Sequence, residues 1–361
     1  MEKTLTTALA GLFLTATVAS ANEVRIYNWS DYIGEEVIAK FEAETGIKVI
    51  YDVFDSNEIL ESKLLAGGTG YDVVVPTGSF MARQIKAGVF QKLDQSKLTN
   101  KEHQWPLIQE RLADFDPDNS YSINYMWGTS GLGVNVPKVK EILGDDAPID
   151  SLALIMDPKN MEKLQACGVH FLDAPDEHFP AAMAYLGFDP NSHDEGELEK
   201  ATEALQAVAP YVQKFHSSEM INALANGDIC VAFGWSGDLL QARDRADEAE
   251  NGVEITYTAP IEGAMMWFDQ MAIPADAPNV DAAHTFIDFM MRPEIAAENS
   301  NYIYYPNGNL SAQPLLEEEV RTDTAIYPSD ETMARLFTKS AYERAFQRKV
   351  TRAWTKVKSG Y

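Results

Sequence analysis

The sequence is poor in cysteine, histidine and basic residues. Of its 361 residues, two are cysteine and six are histidine, while 55 aspartate and glutamate residues outnumber 29 lysine and arginine residues. The resulting formal charge of −26 makes nucleic acid and anionic membranes poor partners, because both repel an acidic chain. The histidines show no H-x-x-x-H or H-E-x-x-H pairing, so we expect neither a metal site nor a cofactor.

Several motifs of common enzymes are also missing. No G-x-x-x-x-G-K-[ST] phosphate loop occurs, and Gly131 and Gly133 lack the third glycine of a dinucleotide-binding loop. No G-x-S-x-G nucleophile elbow is present. The sequence therefore favours a protein that is not an enzyme.

The N-terminus is typical of an export signal. An apolar run over residues 5–18 is followed by the small-residue triplet Ala-Ser-Ala at 19–21. This run is shorter than the ~20 apolar residues that a membrane-spanning helix needs. We expect residues 1–21 to be a signal peptide that is cleaved after Ala21, so that the mature protein is exported.

Export affects how the two cysteines are interpreted. In an oxidising compartment we expect Cys167 and Cys230 to be paired. A disulfide that closes a loop of this length stabilises a protein by ~4 kcal/mol in the chain-entropy model. The alternative is two buried thiols that never meet.

Strands and helices alternate along the chain from residue 24 onward. Strands are predicted at 24–29, 47–54 and 71–76, with helices at 35–44 and 56–65 between them, which is a βαβαβ unit of parallel strands. A second unit follows the glycine-punctuated stretch at 127–133. It contains predicted strands at 169–172, 229–234 and 253–258, helices at 181–186, 195–215, 220–225 and 239–250, a hairpin at 264–273 and a helix at 281–292. The pattern predicts two doubly wound α/β modules, in which ligands bind at the carboxyl ends of the strands.

Aromatic residues lie beside carboxylates at these predicted strand ends. The clusters are Trp29-Ser30-Asp31-Tyr32, Asp173 to Glu177, Trp235 to Asp238, Trp267-Phe268-Asp269 and, further on, Tyr302 to Tyr305. Any one cluster has a simpler explanation, since Asp31 and Asp238 could each cap the helix that follows. Helix caps do not need an aromatic neighbour, however, so the repetition favours a binding site.

The chemistry of these clusters narrows the ligand. Aromatic faces attract cations and pack against alkyl chains, and carboxylates form charge-assisted hydrogen bonds with ammonium groups. Burial of an ammonium without a partner is costly, so each terminal amine needs at least one carboxylate. The pattern therefore predicts a slot for a diamine or polyamine.

At these residues the sequence resembles the polyamine-binding proteins, the periplasmic receptors of putrescine and spermidine ABC importers. The similarity covers essentially the whole chain after the export signal. It is strongest at 26–33, 41–58, 71–76, 167–175, 225–230, 234–238 and 352–360. The resemblance implies a type II periplasmic-binding-protein fold, an α/β fold with two doubly wound lobes and a ligand cleft between them. Lobe 1 would comprise 22–133 and 264–303, and lobe 2 would comprise 134–263 and 304–361.

The resemblance also implies the roles of individual residues. An aromatic box would be formed by Trp29, Tyr32, Trp235, Trp267 and Tyr305. The amines would be bound by Asp31, Glu177, Asp238 and Asp269, with Ser30 and Thr77 as smaller polar contacts. Thr77 replaces the serine expected in this family but keeps the hydroxyl. Both cysteines match family positions, which supports the disulfide.

The family further implies a monomeric, non-catalytic receptor that delivers its ligand to an inner-membrane permease. Ser30, Asp31, Ser79 and Ala174 resemble members that prefer putrescine, whereas Trp267 resembles members that bind spermidine. We expect putrescine, with spermidine as a second possibility. Two alternatives stay open: a ferric-ion receptor that uses Tyr304 and Tyr305, and a secreted glycosidase, which would also use carboxylate pairs.

Overall fold

The computed structural model describes residues 22–360, so the predicted signal peptide lies outside the described residues. Its strands are β1 (Glu23–Trp29), β2 (Lys48–Phe54), β3 (Val73–Val74), β4 (Ser122–Asn135), β5 (Val169–Phe171), β6 (Lys214–Phe215), β7 (Val231–Trp235), β8 (Ile255–Thr258), β9 (Ala264–Ala272) and β10 (Leu336–Thr338). These strands join in one sheet system with the order β2-β1-β3-β9-β4-β7-β5-β6, to which β10 is added beside β9 and β8 beside β4.

Helices cover the strands and connect them. They are α1 (Val37–Thr45), α2 (Asn57–Ala66), α3 (Gly78–Lys86), α4 (Pro106–Leu112), α5 (Val136–Leu143), α6 (Ala153–Met156), α7 (Pro158–Leu164), α8 (Pro175–Tyr185), α9 (Glu195–Val208), α10 (Met220–Ala225), α11 (Ser236–Glu248), α12 (Val280–Met290), α13 (Pro293–Ile303), α14 (Glu318–Thr322), α15 (Asp330–Met333) and α16 (Arg344–Ser359). The architecture is the mixed α/β type that the sequence predicts.

The first βαβαβ unit forms as predicted. Strand β1 pairs in parallel with β2 on one side and with β3 on the other. Helix α1 ends at Gly46, whose positive φ of 67° suits a residue without a side chain. The hydroxyl of Ser56 caps α2 by accepting a hydrogen bond from the backbone N–H of Ile59. The third strand is shorter than predicted and covers only Val73–Val74.

The long strands β4 and β9 run through the centre of the molecule. Strand β9 is antiparallel to both β3 and β4, and all nine of its residues are buried. The predicted hairpin at 264–273 is therefore wrong, because Asp269 and Gln270 continue the strand and do not turn it. Strand β4 continues beyond β9 to pair with β7 and β8, so one strand belongs to both parts of the sheet.

The second part of the sheet contains β5, β6 and β7 in parallel. The predicted helix at 195–215 is too long: α9 ends at Val208, and a short 3-10 turn over Ala209–Tyr211 leads into β6. Pro210 explains the end, since proline has no N–H to continue the helical ladder.

Most of the apolar core divides into two clusters. The first core draws on residues between 24 and 126 and between 265 and 305. The second core draws on residues between 132 and 257 and between 296 and 357. A disulfide joins Cys167 to Cys230 in the second core, with 5.5 Å between their Cα atoms, so the predicted pairing is confirmed. The exact lobe boundaries stay a prediction.

Candidate functional site

A cavity of about 490 Å³ lies between the two cores. Its lining contains ten of the predicted ligand residues: Trp29, Ser30, Tyr32, Thr77, Glu177, Trp235, Asp238, Trp267, Asp269 and Tyr305. Trp29 ends β1 and Trp235 ends β7, so both lie at carboxyl ends of strands, where the sequence analysis placed the site. Residues that are distant in the chain are thus brought together as predicted.

Three tryptophans and two tyrosines form much of the aromatic wall. The rings of Trp29 and Trp235 meet edge to face with 5.4 Å between centroids, and Tyr305 lies 5.0 Å from Tyr32 and 5.4 Å from Trp267 by the same measure. The indole N–H of Trp29 donates to the carbonyl of Val75 at 2.9 Å, which fixes the ring.

Two glycines make room for this wall. Gly128 on β4 faces Trp267 on β9, and a Cβ at Gly128 would lie 2.6 Å from the indole. A Cβ at Gly237 would lie 2.4 Å from the ring of Tyr305. Both distances are shorter than van der Waals contact allows, so glycine is required at these positions for steric reasons.

Asp269 lies in the middle of β9, two residues after Trp267, so both side chains leave the same face of the strand. One carboxylate oxygen accepts a hydrogen bond from the hydroxyl of Thr77 at 2.6 Å, and the other accepts one from Tyr32 at 2.9 Å. Burial raises the pKa of Asp269 to about 7, although these two hydrogen bonds oppose the rise. The carboxyl group is held in place by these two hydroxyl groups.

Asp238 lies in the first turn of α11. Its Oδ1 accepts a hydrogen bond from the hydroxyl of Tyr305 at 2.8 Å. The backbone N–H of Asp238 donates to the hydroxyl oxygen of Tyr305 at 3.1 Å. The residue that caps α11 is Trp235, so the interpretation of Asp238 as a helix cap is wrong. Burial raises the pKa of Asp238 to about 7, and the hydrogen bond from Tyr305 opposes the rise.

Glu177 lies in the first turn of α8 and is the third buried carboxylate. It accepts hydrogen bonds from the hydroxyl of Ser130 at 2.5 Å and from the indole N–H of Trp235 at 3.1 Å. Burial raises its pKa to about 7 against the effect of both donors. The side chain is 9% exposed.

Asp31 is the one predicted ligand residue that does not line the cavity. It has a positive φ of 50° and its carboxylate pairs with Arg245 at 3.0 Å, near the surface. Helix α1 is preceded by Glu36, so Asp31 is not a helix cap either. The ion pair of Asp31 and Arg245 connects the turn after β1, beside the first core, to α11 beside the second core.

The sequence analysis missed six residues that line the cavity. They are Phe54, Asp55, Asn57, Ser217, Ser218 and Ile221. Asp55 accepts hydrogen bonds from Ser30 at 2.8 Å and from Ser218 at 2.6 Å, and so bridges the two sides of the cavity. Asp55 directly follows β2, so the rule that ligands bind at strand ends was sufficient to find it.

The charged side chains that line the cavity are all acidic. Among the described residues that line this cavity, four are carboxylates and none is lysine, arginine or histidine. Burying several carboxylates without a counter-ion is unfavourable, and a bound cation would remove this cost. Tyr304 does not join Tyr305 here, because its ring packs beside the second core and its hydroxyl bonds Asp244. Within residues 22–360 no group of three or more histidine, cysteine, aspartate or glutamate side chains is arranged to hold a metal ion.

The comparisons with known proteins agree with this geometry. A family model described as bacterial extracellular solute-binding protein matches residues 36–328. The chain is 50% identical to the putrescine-binding periplasmic protein PotF of Escherichia coli, with 99% of this chain and 98% of that protein covered. It is 52% identical to the putrescine-binding periplasmic protein SpuD of Pseudomonas aeruginosa, with 99% and 97% covered.

A solved structure has the same fold. It is described as a putative spermidine/putrescine ABC transporter from Listeria monocytogenes and is 33% identical to this chain. The alignment covers 93% of this chain and 99% of that one, with a TM-score of 0.83. In the described part of the chain, no helix is both long and apolar enough to span a bilayer.

Proposed function

This chain belongs to the bacterial extracellular solute-binding proteins, and we propose that it is the polyamine receptor of an ABC importer, with putrescine preferred to spermidine. The observation that carries the proposal is the cavity lining, which combines aromatic walls with four carboxylates and has no basic side chain. Two relatives at 50% and 52% identity are described as putrescine-binding, which supports the preference.

The ligand is bound at its two ends. One ammonium group pairs with Asp269, and the other pairs with Asp238 and Glu177, while the alkyl chain lies between the aromatic rings. Ser30 and Thr77 supply smaller polar contacts. Micromolar affinity corresponds to ~8 kcal/mol, which two charge-assisted ends and aromatic packing can supply. Asp31 contributes to binding indirectly, through its ion pair with Arg245.

Binding is coupled to closure of the two lobes, 22–133 with 264–303 and 134–263 with 304–361. The hydrogen bond from Ser218 to Asp55 and the pair of Asp31 and Arg245 each join the two lobes and are contacts of the closed form. A diamine touches both sides of the cavity only when the lobes are closed, so it favours that form. The closed monomer then docks on an inner-membrane permease from the periplasmic side, after cleavage of residues 1–21. No chemical step is involved.

The two alternatives are less well supported. A ferric receptor would use Tyr304 and Tyr305 together, but only Tyr305 lines the cavity. A glycosidase would need one carboxylate as an acid and another as a nucleophile or base, and binding a cation in this acidic, aromatic-walled slot does not require that chemistry.

A thermal-melt screen of the mature protein tests the proposal. The panel contains putrescine, cadaverine, spermidine, spermine, 4-aminobutyrate, maltose and ferric citrate, each at several concentrations. A ligand that binds only the folded state raises Tm with concentration. We expect large shifts with diamines alone or with diamines and spermidine. A shift with maltose or ferric citrate and none with any amine would refute the proposal.

A further inference from the structure

A second cavity adjoins the one described above. It has a volume of about 510 Å³ and shares Trp29, Trp235, Trp267 and Glu177 with the first cavity, along with Asp55, Asn57 and Thr77. Its remaining wall includes Glu58 on α2, Asp176 on α8 and Lys339, which directly follows β10. We call it the Lys339 chamber. A ligand longer than a diamine would have to extend into it or displace the walls that the two cavities share.

The Lys339 chamber holds a buried ammonium group of its own. The side chain of Lys339 is 3% exposed, and its Nζ lies 3.3 Å from the carboxylate of Asp176. The same nitrogen lies 3.6 Å from the centre of the Tyr342 ring. The ammonium group of Lys339 therefore contacts a carboxylate and an aromatic ring. These are the same two kinds of group that line the first cavity and that favour a cation.

The acids of the chamber outnumber its cation. Among the described residues, Glu58 has a buried Oε1 with no hydrogen-bond partner, and Asp176 contacts Lys339 and, at 3.5 Å, the amide of Gln347. Arg83 is also near, but its guanidinium is held by Glu61 at 2.6 and 3.0 Å. Without Lys339 the chamber would be an unfilled site for an ammonium group.

We propose that Lys339 is a specificity-determining residue whose ammonium occupies, on Asp176, the place that a third ammonium of a triamine would need. The inference rests on the proposed function and deepens it. Diamines end at Glu177, on the border between the two cavities, and do not meet Lys339. A triamine would bring a second cation into a buried space that already holds one, and like charges repel strongly where water is excluded.

The test compares two ligands in calorimetry, putrescine and spermidine, and uses the ratio of their Kd values. Wild type should bind putrescine at least about tenfold more tightly than spermidine. In Lys339→Gln the ratio should fall about tenfold, because spermidine gains the carboxylate of Asp176 as a partner. The Kd for putrescine should stay within about threefold of wild type. The matched control is Lys138→Gln, which removes an exposed lysine that pairs with Glu141 and should leave the ratio unchanged.

A second variant guards against misfolding, because Lys339→Gln leaves Asp176 buried without its partner. Lys339→Gln/Asp176→Asn removes both charges, so it should fold and should still lower the ratio, by less than the single variant. If the ratio stays at the wild-type value in whichever variants fold, or if wild type binds both amines equally, the inference is wrong while the receptor function stands. If wild type binds neither amine, the proposed function itself fails.

Discussion

The two sides of the cavity hold their carboxylates by different means. On the side of the first core, Asp269 stands in the middle of a strand and is fixed by two hydroxyl groups, from Thr77 and Tyr32. On the side of the second core, Asp238 and Glu177 each stand in the first turn of a helix, α11 and α8. The amide dipoles at a helix start favour a negative charge. Of the three acids proposed to pair with ammonium groups, one therefore stands in a strand and faces two that stand at helix starts, and the two sides should respond differently to substitution.

The largest effect is expected on the side with one acid. Asp269→Asn keeps the shape but leaves one ammonium desolvated and unpaired, so the Kd for putrescine should rise about 100-fold or more, which corresponds to about 3 kcal/mol. Titration calorimetry measures the change, with the melting curve of the unliganded variant as a control for folding. A Kd within about threefold of wild type would remove Asp269 from the site.

The side with two acids should be more tolerant. Under the proposed binding mode, Glu177 still pairs with the same ammonium group in Asp238→Asn, so we expect a loss of about tenfold, or ~1.4 kcal/mol. The same calorimetric titration checks this value. If Asp238→Asn weakens binding as much as Asp269→Asn does, the two acids do not share one ammonium and the comparison of the two sides breaks down.

A change of pH acts on both sides at once. The pKa values of Asp269, Asp238 and Glu177 are each raised to about 7, chiefly by burial. Below pH 7 these acids are mostly protonated in the empty cavity and must release protons to bind a dication, so from pH 8 to pH 6 the affinity should fall about tenfold for each acid that releases its proton. Calorimetry at pH 6 in buffers of different ionisation enthalpy should reveal proton release, and an absence of release would contradict the prediction.

The stability of the unliganded protein should change with pH in the opposite direction to the affinity. A carboxylic acid whose pKa is higher in the folded state than in the unfolded state binds extra protons when folded, between about pH 4 and pH 7. The free energy of unfolding contributed by these three acids should therefore decrease as pH rises through that window. Asp269→Asn/Asp238→Asn should flatten the pH dependence of Tm, and an unchanged slope would count against these pKa shifts.

The smallest effect on binding is expected at the other end of the same strands. Cys230 directly precedes β7 and Cys167 lies just before β5, whereas Trp235 lines the cavity where β7 ends. Cys167→Ser/Cys230→Ser should lower the free energy of unfolding by ~4 kcal/mol and leave the Kd for putrescine within about twofold. Chemical denaturation and calorimetry measure the two quantities. A large loss of affinity would mean that the strand ends are not independent.

Local signals predicted the local structure well. The positive φ of Gly46 and the hydroxyl of Ser56 set the ends of α1 and α2, and both signals are visible in the sequence. The clusters at Trp29 and Trp235 also followed from one rule, since ligands bind where parallel strands end. Nine of the ten predicted residues that line the cavity belong to the aromatic–carboxylate clusters, whereas Thr77 and the roles of all ten came from the family resemblance.

The errors come from residues whose partners are distant. The sequence analysis predicted a hairpin at 264–273, but Asp269 lines the cavity while the strand continues through it. Strand β4 was missed because its glycines resemble a loop, whereas Gly128 is there to admit Trp267. Asp55 lacks an adjacent tryptophan and was overlooked. In each case tertiary contacts determined the structure, and local sequence propensity did not.

The position of β9 between β3 and β4 has a consequence for how the chain reaches its native state. Val74 pairs with Ala272, so closing this part of the sheet brings together residues separated by about 200 positions. Contacts of such long range slow folding, because the entropy of the loop is lost before the pairing is gained. Until residues 264–272 are available, β3 and β4 keep unpaired edges. The N-terminal half should therefore stay incompletely folded while the rest of the chain emerges, a state compatible with passage through a translocation channel.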